Sequence, residues 1–195
     1  MFKRCDGALR SCKDISEAEL AALCAKDDVS AKRELYTRYA ARVLMLSTGY
    51  LGDGEEAKDL THDIMMKVFD SIRKFTYKGE GSLYAWIRKI TVNAAINRIT
   101  RSRKPAVAVL EEQLLEVREP SEEEMERIPL AELLNIISSL PDTQRLIMNM
   151  FCMEGYSHKE IADRLGITEK ASSSLLSKAK KTLAGKINNY YKKTR

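Results

Sequence analysis

The chain has 195 residues, with 33 Lys and Arg against 28 Asp and Glu, a formal charge of +5 and 44% hydrophobic residues. That length holds one or two small domains with their own cores, and 9 Gly with 4 Pro argue for long helices and against a turn-dense β architecture. The first fourteen residues lack the apolar run of a signal peptide, and Val43–Leu46 falls far short of the roughly 20 residues a spanning helix needs. We therefore expect a cytoplasmic protein without membrane insertion.

Apolar periodicity is helical along almost the whole chain. A first helix starts at Ser16, with Glu19 completing a capping-box signature, and runs to about Lys26. Ser30 is placed to cap a second, striped by Leu35, Tyr39, Val43 and Leu46. A loop from Gly49 to Gly54 leads to a third helix carrying Leu60, Ile64, Val68 and Ile72. The loop Thr76–Gly81 precedes a fourth helix, capped by Ser82 and reaching about Arg103.

Composition then shifts. Residues 105–129 begin and end with proline and hold Glu111, Glu112, Glu116, Glu119, Glu122, Glu123, Glu124 and Glu126, opposed only by Arg118 and Arg127. Like charges with little apolar content predict a linker, partly helical at most. Helical pattern resumes with Leu130–Ser139 and Asp142–Met153, then two helices split at Gly166. The expected fold is all-α: an N-terminal extension (1–14), a helical domain (15–104), an acidic linker (105–129) and a second helical domain (130–195).

Chemistry-bearing clusters are scarce. Cys5, Cys12, Cys24 and Cys152 form no CxxC pair and have no histidine at ligand spacing, which predicts reduced thiols and no metal. His62 and His158 are the only histidines. No group of His, Cys, Asp and Glu stands at catalytic spacing, so neither a cofactor nor an enzymatic reaction is expected.

The basic surfaces are more informative. In SHKEIADRLGITEK, Ala162 permits a close helix approach and Gly166 a left-handed turn, as a helix-turn-helix requires. On the following helix Ser172, Leu175, Leu176, Ala179, Leu183, Ile187 and Tyr190 share one stripe. Lys170, Ser173, Ser174, Ser177, Lys178 and Lys181 lie opposite, a set suited to phosphates and base edges. A solvated amphipathic helix is the alternative. Ten Lys or Arg against Glu160, Asp163 and Glu169 between positions 159 and 195 favour nucleic acid. The fourth helix repeats the theme, with Arg88, Lys89, Arg98, Arg101, Arg103 and Lys104 and no acid. Phe75 and Tyr77 precede it, and basic groups beside aromatics suit single strands. Trp86 shares a stripe with Leu83, Ile87, Ile90 and Ala94 and is expected in the core. The third helix gathers Glu55, Glu56, Asp59 and Asp63 in its first half, while His62, Met65, Met66 and Phe69 leave apolar surface beyond its inward stripe. That combination suits protein docking.

These residues carry a resemblance. AKDLTHDIMMKVFDSIRKF and SLYAWIRKITVNAAINRITRSRK resemble domain 2 of bacterial sigma-70 family sigma factors of the extracytoplasmic-function group, and LPDTQRLIMNMFCMEGYSHKEIADRLGITEKASSSLLSKAKKTL is similar to their domain 4. The resemblance implies a factor that binds core RNA polymerase, selects promoters and assists melting. It implies core-polymerase docking through Asp59, Leu60, His62, Asp63, Met66 and Phe69. The –10 element would fall to Phe75, Tyr77, Lys78, Ser82, Arg88, Lys89, Arg98, Arg101, Arg103 and Lys104, with melted bases held near 75–82. Lys159, Lys170, Ser173, Ser174, Ser177, Lys178 and Lys181 would meet the –35 duplex. The linker would run toward the polymerase active centre, and an anti-sigma factor is an implied partner. The sequence departs from the family at His62, Met66, Asn97, Lys170-Ala171-Ser172 and Leu175. Two other classes compete: a helix-turn-helix regulator acting without polymerase, and a helical protein-binding adaptor.

Overall fold

Residues 15–102 and 118–193 are described by a computed structural model, and every regular element among them is helical. α1 (Glu17–Ala25) opens on Ser16, whose hydroxyl accepts from the Glu19 N–H; only this half of the expected capping box is present. α2 (Val29–Leu51) is capped two residues before the expected cap. Asp28 accepts from the Ala31 N–H at 2.8 Å, and Ser30 falls inside the first turn. A carboxylate there also complements the helix dipole, which a hydroxyl does not. The helix passes through Gly49 and ends at Gly52, in the left-handed region at φ 74°, so the expected six-residue loop contracts. Asp53 then caps α3 (Gly54–Ser71) through the Glu55 and Glu56 N–H groups, and a 3-10 turn (Ile72–Lys74) closes it. α4 spans Ser82–Ser102.

The second set begins with a short α5 (Glu122–Glu126), opened by a capping box between Ser121 and Glu124. α6 covers Leu130–Ser138, and α7 (Asp142–Met148) continues into a π-turn at Asn149–Met153. α8 (His158–Leu165) and α9 (Glu169–Lys193) complete the chain.

In the first lobe α2 packs against α1, α3 and α4. Leu60, Ile64, Val68 and Ile72 of α3 are all buried, as their spacing predicts. Met65 is buried too, at 1% exposure, which removes it from the expected apolar surface and leaves Met66 there at 61%. Period decides the difference: Met65 follows Thr61 by four residues on the inward side, and Met66 is turned a further 100° or so. Cys24 is buried, and desolvation raises its thiol to about 11. In the second lobe α9 packs on α6, α7 and α8.

A polar seam joins the lobes. α2 meets α6 and α7, and one buried apolar cluster includes residues of both lobes. Arg145 of α7 is 2% exposed, yet its guanidinium is fully engaged. It donates to Tyr50 O (2.9 Å), Leu51 O (2.5 Å), Ser138 O (2.8 Å), Leu140 O (2.7 Å) and the Asp142 carboxylate (2.6 Å). This satisfies the carbonyls at the end of α2, which have no partner within the helix. Gly52 is required twice over: its backbone is left-handed, and a Cβ would stand 2.6 Å from Arg145 Cζ. Beside it, Asn149 Nδ2 donates to Gly49 O at 2.8 Å. The Glu154 carboxylate accepts two bonds from Arg88 of α4 (2.7 and 2.8 Å) and one from the Tyr50 hydroxyl (3.2 Å).

The chain between 103 and 117, including Arg103, Lys104 and most of the expected linker, lies outside the described residues. From Arg118 onward it is laid on α9: Asn188 donates to Arg118 O at 2.8 Å and the Tyr191 hydroxyl to Glu124 O.

Candidate nucleic-acid interface

The second lobe presents α9 through a tightly specified turn. Ser157 and Glu160 form a reciprocal capping box on α8, Gly166 ends it in the left-handed region, and the Thr168 hydroxyl accepts from the Ala171 N–H at 3.1 Å to start α9. Ala162, Leu176, Ala179 and Ile187 are buried at the contact, while Leu175 and Leu183 are half-buried. Lys170, Ser173, Ser174, Ser177 and Lys181 are exposed together on the opposite face, with Lys159 exposed at the start of α8. Lys178 differs from them in being half-buried.

Ser172 sits inside the turn at 0% exposure. Its hydroxyl meets His158 Nδ1 at 3.0 Å, and the Phe151 ring stacks on His158 with centroids 4.7 Å apart. A polar atom on the inward stripe thus has a partner inside the turn.

In the first lobe the loop after α3 holds Phe75 against Trp86, ring centroids 5.4 Å apart, and leaves Tyr77 at 43% exposure. Trp86 is half-buried and packs on the core, as its stripe predicts. Lys78 is exposed; its backbone N–H donates to the Ser82 hydroxyl at 3.2 Å. Ser82 is therefore not the cap expected from sequence but the first residue of the helix. Gly81 occupies the capping position, its carbonyl accepting from Ala85 N–H at 3.0 Å. Glycine has no side chain to cap with.

The arginines of α4 are not equivalent. Lys89 and Arg101 are exposed. Arg98 joins Asp63 (3.2 Å) and Glu56 (3.5 Å) of α3, so a residue assigned to DNA and one assigned to polymerase are paired with each other. Arg88 turns to the second lobe, bonding Glu154 and Met153 O.

On α3, Asp59, His62, Asp63 and Met66 are exposed along one side. Leu60 is 3% exposed and belongs to the core. Phe69 is half-buried, with the Lys32 ammonium 5.9 Å from its ring centre.

Sequence reasoning missed Arg145, Glu154 and Arg164. Arg164 stacks on Tyr156 at 4.4 Å and reaches Asn93 of α4 at 3.2 Å. A lone cation within the apolar run LIMNMF and its preceding turn is the signal that marks Arg145. Glu154 and Arg164 sit among ordinary surface charges and give none.

Two helices joined at the left-handed Gly166, the second carrying Lys170, Ser173, Ser174, Ser177 and Lys181 on its outer face, have the architecture of a helix-turn-helix in an all-α, two-lobed protein. Comparison narrows this. The Sigma-70 region 2 family matches residues 35–104, and the Sigma-70, region 4 family matches residues 130–183. The chain is 27% identical over 170 residues to the ECF RNA polymerase sigma factor SigM of Mycobacterium tuberculosis, covering 87% of this chain and 83% of that one. It is 27% identical over 175 residues to the ECF RNA polymerase sigma-E factor of Haemophilus influenzae, covering 82% and 89%. The solved structure of CnrH in complex with the cytosolic domain of CnrY is similar at 18% identity, with a TM-score of 0.45 over 88% of this chain and 96% of that one. The chain belongs to the sigma-70 family of RNA polymerase sigma factors, in its extracytoplasmic-function group. Among the described residues no helix is long and apolar enough to cross a membrane.

Proposed function

We propose that the three exposed surfaces divide the work of a promoter-specificity subunit. The outer face of α9 enters the –35 major groove, with Lys170, Lys178 and Lys181 neutralising phosphates and Ser173, Ser174 and Ser177 approaching the backbone and base edges. The loop Phe75–Gly81 holds melted –10 bases, Tyr77 offers a stacking face, and Lys78, Lys89 and Arg101 meet the backbone. Asp59, His62, Asp63 and Met66 dock on core polymerase, where an exposed methionine among acids offers an adaptable contact. The protein acts by binding and not by catalysing a reaction of its own, works in the cytoplasm, and is held silent by an anti-sigma factor.

The observation that carries this reading is the joint exposure of Lys170, Ser173, Ser174, Ser177 and Lys181 on a helix fixed by the Gly166 turn, in one chain with a region 2 lobe. Reconstitution with purified core polymerase on a promoter library tests it. Added protein is expected to bind core enzyme and to enrich a defined subset of promoters. A protein that binds duplex DNA equally well without polymerase would instead be the independent helix-turn-helix regulator.

A further inference from the structure

We infer that Glu17, on the first turn of α1, is a positioning residue for reading the melted –10 strand, and that it also keeps phosphate away from the start of α4. The inference rests on the assignment of the Phe75–Gly81 loop to –10 bases and gives that loop a control element outside itself.

The loop is poorly determined by its own chemistry. Gly79 and Gly81 both have positive φ, at 121° and 82°, conformations that glycine adopts without steric cost and that no side chain from the loop holds in place. Internal ties are few: Ser82 N–H to Gly79 O at 3.1 Å, and Lys78 N–H to the Ser82 hydroxyl at 3.2 Å. Since Gly81 has no side chain, the first N–H groups of α4 lack the usual local acceptor. The first turn of α4 contains no acidic residue either.

Glu17 supplies what is missing from a different helix. One carboxylate oxygen accepts from Gly81 N–H at 2.8 Å and Leu83 N–H at 3.3 Å; the other accepts from the Tyr39 hydroxyl at 2.9 Å. Among the described residues, no other side chain from outside the loop and α4 bonds this backbone. Glu17 is itself held. Tyr39 is 2% exposed and stacks on Tyr84 of α4 at 6.1 Å, and Arg38 donates to Ile15 O at 3.2 Å. Burial, reinforced by Glu17, raises the Tyr39 phenol to about 12, so it stays a donor across the physiological range.

A free helix N-terminus attracts anions. With the carboxylate seated there, a phosphate of the single strand meets a negative charge, and the bases are left as the groups the loop can take. Glu17 thereby has two effects: it fixes loop shape and biases the loop from backbone toward base.

The test uses the full chain with core polymerase, on a promoter selected in the reconstitution and on variants with single substitutions in its –10 element. Glu17→Ala is expected to reduce –10 discrimination in open-complex formation, read by permanganate reactivity, by about tenfold, the equivalent of one charge-assisted hydrogen bond. It is also expected to raise binding of the free protein to an oligo-dT strand, while core-polymerase affinity and –35 duplex binding stay within twofold. Glu17→Gln, which keeps one acceptor for the α4 amides, recovers most of the discrimination. A merely structural role predicts the reverse on the second readout: weaker oligo-dT binding, falling together with polymerase and –35 binding. Either that parallel loss or unchanged discrimination in Glu17→Ala overturns the inference. A parallel Tyr77→Ala variant separates the two assignments. If it alters –10 selection and Glu17→Ala does not, only the Glu17 role fails; if Tyr77→Ala leaves –10 selection untouched, the loop assignment fails and takes the inference with it.

Discussion

Arginine and lysine play opposite parts in two regions of this molecule. At the seam, Arg145 is buried, and each of its nitrogens donates to a carbonyl or a carboxylate. Arg88 is likewise committed to Glu154, whose side chain is only 7% exposed. On the outer face of α9, Lys170 and Lys181 stand in solvent with no ion pair among the described residues. A guanidinium presents five donors in a rigid fork, which suits several fixed carbonyls; an ammonium on a flexible stem suits a mobile row of phosphates. The seam uses charge to complete a structure, and α9 leaves charge exposed to solvent.

The seam breaks with the largest effect. Arg145→Ala leaves the carbonyls of Tyr50, Leu51, Ser138 and Leu140 without their donor in a buried setting. Chemical denaturation is expected to show a loss of at least about 3 kcal/mol, since several buried acceptors lose their donor at about 1–3 kcal/mol each. Arg145→Lys recovers little, because one ammonium cannot reach all four carbonyls and Asp142. If Arg145→Ala unfolded at the wild-type denaturant concentration, the seam would not be a stabilising element, and the contrast with α9 would collapse.

Reversing charge on α9 should act in the opposite way. Lys170→Glu with Lys181→Glu is expected to leave stability within about 0.5 kcal/mol, as for exposed substitutions away from structural features. Affinity for a –35 duplex falls, and the slope of log affinity against log salt flattens by about 0.9 for each phosphate no longer neutralised. Core-polymerase binding, proposed for α3, is expected to be unchanged. Equal loss of DNA and polymerase binding would mean that α9 does not carry the DNA face.

Why the seam was hidden in the sequence and the outer face was not follows from periodicity. The stripe Ser172, Leu176, Ala179 and Ile187 is written in the 3.6-residue repeat, so its complement of lysines and serines could be read as an outer face before any coordinates. The same is true of Leu60, Ile64, Val68 and Ile72. Capping was less legible: Asp28 and Ser30 are both good caps, and only the geometry of the preceding turn selects the first. Hydrogen bonds between residues far apart in the chain leave no periodic trace. Tyr50 with Glu154, Arg145 with Leu51, and Glu17 with Gly81 each join residues more than sixty positions apart. Arg88 shows the consequence. Read alone it is one more cation on a basic helix, and only the fold reveals that Glu154 has claimed it.

Ser172 tests the comparison at its finest grain, being polar like the outer face and buried like the seam. Its hydroxyl and His158 Nδ1 form a single contact, so the expected effect is small. Ser172→Ala should cost about 1 kcal/mol, the usual net value of one hydrogen bond. Ser172→Val, which puts an aliphatic residue on the inward stripe, should cost more, about 1–3 kcal/mol, because one methyl replaces the hydroxyl and a second must enter a site with no exposed surface. A double-mutant cycle with His158→Ala decides whether the two residues act as a pair. A coupling of at least about 0.5 kcal/mol is expected for groups in direct contact. Coupling near zero, with Ser172→Val at least as stable as the wild type, would mean that the turn tolerates serine and gains nothing from it. Positive coupling would make His158–Ser172 a small counterpart of the Arg145 seam, a polar contact that fixes the angle at which α9 is presented.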